Sequence, residues 1–460
     1  MPISVIPITD KQLLEVLSIT EGHFSDVKAK EIKPSKLTKA ISAFANADGG
    51  ELYVGIAENL ALPFPHKWQG FTDPEDANAH IQVFEALFPL GDGYAYNFLS
   101  HPAQTGVILQ AIIKKSKGVV KANDGIPYVR RGAQSLPVNT PDALALLKRN
   151  KGITSFENEP VAADLMIVCN SNTVIEFILD VIPTSEPEAW LRKQELIKDD
   201  KPTVAGVVLF SDLPQATLPK RTGIKVYPYK TGASEGTRDT LVGEPVSIEG
   251  CAYAVIKESV AVTENIINDI QVIGTKGLEP VKYPTVTLHE VITNAVLHRD
   301  YAIADDVHLR IFDNRVEVES PGRLPAHITP KNILQERFAR NGNLVRVINK
   351  FPNPPNKDVG EGLNTAFEAM KNLRLKAPII TELDNAVLVQ IKHERLASAE
   401  EIVMQYLENN LMITNRMARE LTGIKSENSM KNVFWKLRDR DLIEQVPGRA
   451  GFASAWQRKH

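Results

Sequence analysis

Glu290, Asn294 and His298 recur at intervals of four residues in the run Glu290-Val-Ile-Thr-Asn294-Ala-Val-Leu-His298. On a helix that interval stacks three polar side chains along one face. Val291, Ile292, Ala295, Val296 and Leu297 are then free to bury the other side. A carboxylate in such a stripe can take a proton from water, and a carboxamide oxygen can ligate a hard cation such as magnesium. A buried helix whose polar residues are merely hydrogen-bonded has the same spacing, so the following residues decide. Ser320-Pro-Gly322 is a sharp turn where backbone can approach a ligand. Gly360-Glu-Gly362 opens a second helix, and a glycine turn feeding a helix N-terminus suits phosphate.

A second constellation lies near the N-terminus. Glu21, Asp26, Lys28 and Lys30 lie on or next to one expected strand, Glu58 ends another, and Arg130 and Arg131 end a third. The guanidinium of an arginine can bridge two phosphate oxygens. A strand with solvated acids and a lysine pair is the plainer reading of the same residues.

The elements that must position these groups are legible in outline. Residues 11–20 have amphipathic helical periodicity, and residues 21–30 alternate like a strand. Pro34 opens a helix to about Ala47. Strands are expected over 51–58, 105–114 and 126–130, and Thr140-Pro141 starts a helix. Pro202 to Phe210 reads as a buried apolar strand, Pro214 to Pro219 as a loop and Ile224 to Tyr229 as a strand. Residues 260–273 are amphipathic. The Val, Ile and Leu helices of this middle region supply either core or a homodimer seam. Leu309 to Ser320 reads as two strands around an Asp313-Asn314 turn. After residue 397 come three helices, with Thr422-Gly423 as a turn and Ser426 as a cap, and then a strand-turn-strand wing.

At residues 283–393 the chain resembles the GHKL (HATPase, Bergerat-fold) ATPases, in the branch that follows Schlafen-type domains. The resemblance implies that Glu290 is the general base on water and that Asn294 binds magnesium. It places Ser320, with Gly322, where the family has an adenine-reading Asp, and Gly360 and Gly362 in the second glycine box. The segment with Arg340 and Asn341 would be the lid over the phosphates, and His298 would lie at the nucleotide or brace the helix end. ATP and Mg2+ are the implied cofactors.

Residues 14–136 resemble the Schlafen AlbA-like (AlbA_2) domain. The likeness rests on Glu21 with Asp26-Val-Lys28, Ala43-Phe-Ala-Asn46-Ala-Asp-Gly49-Gly50, Tyr53-Val-Gly55 and Tyr128-Val-Arg130-Arg131-Gly132. In nuclease-active members three carboxylates cluster, where they can hold a divalent cation that activates water against a phosphodiester, and these map onto Glu21, Asp26 and Glu58. The C-terminal region looks like a winged helix-turn-helix, which implies that Lys425, Lys431, Lys436, Arg438 and Arg449 face nucleic acid.

Composition narrows the class. At 460 residues the length suits about three domains. A net charge of -3 gives no global field toward nucleic acid or membrane, so such binding needs local patches. Two cysteines, Cys169 and Cys251, make neither a disulfide framework nor a zinc site. No run reaches the length of a membrane span, no signal peptide is evident, and a cytoplasmic location is expected.

The expected architecture is α+β and multidomain. It comprises a Schlafen AlbA-like domain (1–136), a connecting or dimerisation region (137–282), a Bergerat α/β sandwich (283–396) and a winged helix (397–460). The expected function is an ATP-binding, DNA-binding transcriptional regulator, acting as a homodimer or larger assembly. Two rivals are a metal-dependent Schlafen nuclease on RNA or DNA with ATP as its switch, and a degenerate ATPase fold serving assembly.

Overall fold

A computed structural model describes residues 4–58, 65–274, 277–281, 283–355, 362–393, 399–422, 424, 426–447 and 454–459. The chain divides into two compact units. The first comprises Met1–Met370 with Ala377–Ile391, and the second Lys371–Lys376 with Lys392–His460.

The first unit begins with a five-stranded sheet in the order Val5–Pro7, Tyr94–Ser100, Ile108–Ile113, Gly50–Val54, Ser25–Lys28. The helix Pro34–Asn46 covers it, with proline in its first turn and Leu37, Ile41 and Phe44 fully buried. Its last residue explains the Asn-x-x-Gly-Gly run. Asn46 Nδ2 donates to the carbonyls of Val120 (2.7 Å) and Tyr128 (2.9 Å), and Oδ1 accepts from the Val120 N–H. One amide thus satisfies backbone groups that burial would otherwise leave unpaired. The turn that follows has no room for side chains. A Cβ on Gly49 (φ +80°) would lie 2.6 Å from the Ile113 carbonyl oxygen, and one on Gly50 2.4 Å from the Phe44 ring.

The second sheet of this unit has six strands. Their order is Val246–Ile248, Ile224–Pro228, Val307–Phe312, Arg315–Pro321, Ala386–Lys392, Ile379–Glu382. Ile224–Pro228 pairs in parallel with Val307–Phe312, whose other neighbour is antiparallel. The helices Ala252–Asn268 and Thr285–Leu297 pack on one another beside it. The expected boundary at residue 283 therefore cuts through one sheet. Part of the connecting region is the edge of that sheet.

Two local expectations fail in that region. Val204–Phe210 is a helix, not a strand, and Pro214–Thr217 is a short helix within the expected loop. Thr203 caps the first: its Oγ1 accepts from the Gly206 N–H at 3.2 Å. All seven residues are buried. A helix buried on every side has no polar face, so its sequence lacks the period that separates helix from strand.

The second unit contains the helices Ala399–Asn409, Asn415–Thr422 and Glu427–Asp439. Its three strands lie in the order Ile413–Thr414, Ala455–Arg458, Ile443–Gln445. Val403, Ala418, Met430, Phe434 and Leu437 form its core, with Phe434 stacked on Trp456. Ser426 caps the third helix through the Ser429 N–H. The expected turn residue Gly423 and part of the expected wing, 448–453, lie outside the described residues. Among the described residues no helix is long and apolar enough to cross a membrane. Cys169 and Cys251 are unbridged.

Candidate functional site

The polar stripe of Thr285–Leu297 opens onto a cavity of about 310 Å³. Glu290, Asn294, His298, Ser320, Gly322 and Gly362 all line it. They come from a helix, the helix end, a strand end with its turn, and a second helix start. Packing of the helix against the sheet brings them together.

Within the stripe, Asn294 Nδ2 donates to Glu290 Oε1 at 2.8 Å. The amide proton is thereby committed to the acid, which leaves Oδ1 as the hard-cation donor. Burial pushes the Glu290 carboxyl above its usual range, and the Asn294 hydrogen bond opposes this. Gly362 faces the same carboxylate, since a Cβ there would lie 2.0 Å from Glu290 Oε1. A side chain there would displace the Glu290 carboxylate from its present position. The stripe thus offers one carboxamide oxygen able to ligate a hard cation and one carboxylate able to accept a proton.

Ser320 Oγ donates to the Ala295 carbonyl at 2.7 Å, capping a carbonyl near the helix end. With its proton spent there, the hydroxyl can only accept from a ligand, as a 6-amino purine requires. Most of the remaining lining is apolar, including Ile380, Val387 and Val389, with Glu336, Arg337 and Asn364 among its polar members. The alternation of Val387-Leu-Val389-Gln-Ile391 was the available signal for this wall. Arg323, beside the Gly322 turn, also lines the cavity and was not anticipated.

Arg340 and Asn341, expected in the lid, are not among the lining residues. Asn341 is buried, and its Nδ2 donates to the carbonyls of Leu297 (2.9 Å) and Arg299 (2.8 Å). Arg340 is buried against Asp300, Nη1 to Oδ2 3.3 Å, and donates to the Arg323 carbonyl. Both brace the end of the stripe helix. Other members of that segment, Arg337 and Phe338, do reach the cavity. Gly360 lies outside the described residues.

The N-terminal constellation is different. Lys28 Nζ contacts Glu21 Oε1 at 3.0 Å and also Asp26 Oδ1. Arg130 Nη1 holds the other Asp26 oxygen at 3.2 Å, while its Nε donates to the Gly22 carbonyl at 2.9 Å. Burial and the Glu21 hydrogen bond push Asp26 up to about 6 against the pull of Lys28. Burial also raises Glu21, but the bonds to Asp26 and Lys28 outweigh it and bring it down to about 2. The two acids are therefore already neutralised by side chains. Glu58 is exposed at the end of its strand. Among the described residues no group of three or more His, Cys, Asp or Glu side chains forms a cation-binding set. The residues present do not fit a divalent nuclease centre.

The basic residues are divided as well. Arg130 is 3% exposed and spent inside the domain, so it is no phosphate clamp, whereas Arg131 is exposed and Lys28 and Lys30 are half-buried. In the second unit Lys431, Lys436 and Arg438 are exposed, each beside an acid: Glu427, Glu400 and Asp439. Lys425 and Arg449 lie outside the described residues.

Comparison with known proteins adds two family matches. Residues 304–391 match the family described as "Putative ATP-dependent DNA helicase recG C-terminal", of the HATPase class. Residues 21–139 match "Schlafen, AlbA_2". Curated proteins return no match. Among solved structures the chain is similar to the DIP2311 protein of Corynebacterium diphtheriae, at 17% identity over 97% of this chain and 96% of that one, TM-score 0.40. It is also similar to the N-terminal domain of a "putative ATP-dependent DNA helicase RecG-related protein" of Nitrosomonas europaea. That likeness has 18% identity over 26% of this chain and 86% of that one, TM-score 0.20. Superposition at these levels carries no weight for function. On the two family matches, the chain joins a Schlafen AlbA_2 domain to a HATPase-type, RecG C-terminal-like domain.

Proposed function

We propose that this protein binds ATP with magnesium in the Glu290–Asn294 cavity and uses that site to control its engagement with nucleic acid, as a DNA-binding regulator. The observation that carries the reading is the convergence of Glu290, Asn294, Ser320 and Gly362 on one cavity. Glu290 would accept a proton from water, Asn294 Oδ1 would ligate magnesium, and Ser320 would accept from the adenine amino group. Magnesium, when bound, supplies charge to the phosphates.

Titration calorimetry of ATP into the full chain tests this. Wild type is expected to release heat that magnesium chelation diminishes. Asn294→Ala is expected to weaken binding in magnesium and to change little in chelator. Equal affinity of both proteins under both conditions would refute the magnesium role, and no heat from wild type would refute the site.

The helix, strand, helix, helix, strand, strand order of the second unit supports reading it as a winged helix. Exposed Lys431, Lys436 and Arg438 give it a salt-sensitive grip on phosphate. A chain ending at Leu396 is therefore expected to lose sequence-specific duplex binding in a gel shift. An unchanged shift would place recognition elsewhere. The nuclease reading has no such support, because Lys28 and Arg130 occupy two of the three acids it requires, Glu21 and Asp26.

A further inference from the structure

The loop after Gly322 has two faces. One lines the cavity through Arg323, Leu324 and Ile328. The other is fastened to the N-terminal domain. Arg323 Nη2 donates to Asp48 Oδ2 at 2.7 Å, and its Nε to Glu382 Oε1 at 2.9 Å. The same Glu382 oxygen accepts from the Leu324 N–H at 3.2 Å. Lys115 Nζ donates to the carbonyls of Leu324 (3.2 Å) and Ile328 (3.1 Å). It also lies 3.5 Å from Asp48 and 3.7 Å from Glu382.

These four side chains are two acids and two bases, and the Lys115, Asp48 and Glu382 side chains are 7%, 12% and 8% exposed. Removing one member would strand buried charge, so the group holds or yields together. It is a discrete contact that is made or broken as a unit, and a discrete contact of that kind is what coupling between sites needs.

Asp48 is where the group meets the N-terminal edge. Its Oδ2 also lies 2.7 Å from His23 Nε2, and His23 stands between Glu21 and Asp26 in the chain. The turn after Asp48 feeds Gly50–Val54, which pairs in parallel with Ser25–Lys28. The Glu51 N–H donates to the Phe24 carbonyl at 2.8 Å. With Gly49 and Gly50 packed against backbone and ring, the turn cannot shift without moving that strand pair.

We infer that the Asp48–Arg323–Lys115–Glu382 group couples the cavity to the N-terminal strand pair, so that a nucleotide seated on Gly322–Leu324 alters the Glu21–Lys28 edge. The inference rests on the nucleotide reading of the cavity.

Amide hydrogen exchange on the full chain, with and without a non-hydrolysable ATP analogue and magnesium, tests it. The analogue is expected to slow exchange over 322–328 and also over 22–28 and 49–54, by at least about fivefold at each. Asp48→Asn is expected to keep the first protection and lose the other two. Glu382→Gln cuts the same group from the other side, with the same expected result, and serves where Asp48→Asn is too unstable to measure. Protection of wild type confined to 322–328 would overturn the coupling and leave the nucleotide reading standing. Transmission unchanged in the variants would also overturn it. No protection at 322–328 would overturn both.

Discussion

Glu290→Gln is expected to lower ATP hydrolysis by about 100- to 10,000-fold, the usual contribution of a positioned general base, and to leave nucleotide affinity close to wild type. The glutamine keeps the shape and still accepts from Asn294 Nδ2, which holds Glu290 Oε1 at 2.8 Å. It cannot accept a proton from water. The sign of the pH dependence follows from the burial that raises the Glu290 carboxyl. A base works only when ionised, so with Glu290 in that role hydrolysis is expected to be lost as pH falls through that raised value. The acid limb of the wild-type profile should therefore stand above the range of an ordinary glutamate and be missing from the variant. Steady-state phosphate release across pH, with affinity from calorimetry, measures both. Hydrolysis at the wild-type rate by Glu290→Gln would remove Glu290 from the role of base.

Arg340→Ala is expected to cost about 3–5 kcal/mol of stability, the range for breaking a buried ion pair. It leaves Asp300, which is 2% exposed, with Arg149 Nε no nearer than 4.0 Å. The Ala302 N–H satisfies only the other Asp300 oxygen. It also frees the Arg323 carbonyl and removes the guanidinium that packs on the Gly322 turn, where a Cβ would lie 2.5 Å from Arg340 Nη1. Nucleotide affinity should fall only as far as that turn loosens. Denaturant unfolding of the variant, followed by a probe in the first unit, measures the loss. Unchanged stability together with sharply weaker nucleotide binding would return Arg340 to the lid, as a phosphate ligand.

Those two residues mark how far the sequence could be read. Glu290 and Asn294 were legible because helical spacing fixes which side chains share a face before any tertiary contact forms. Gly362 was legible because glycine at a helix start signals close approach. Arg340 looked like a lid residue because an Arg-Asn-Gly-Asn run in a long loop resembles a surface phosphate clamp. Only the fold shows that Asp300, forty residues earlier in sequence, meets it inside. The carboxylates of the N-terminal domain were read as free ligands for a similar reason. Lys28 was visible two residues from Asp26, but Arg130 arrives across a distant strand pair.

Residue order was enough for most local elements, for the Glu290–Asn294 stripe and for both domain types, because periodicity, caps and glycine turns act over a few residues; it misjudged Val204–Phe210, whose burial on every side erases the period. Tertiary structure alone decided which charges are spent on one another, that the six-stranded sheet recruits Ile224–Pro228, and that Asp48 meets Arg323. Each of those depends on pairing across long stretches of chain. Burial makes an ion choose its partner by proximity in space, a distance that spacing along the chain does not encode.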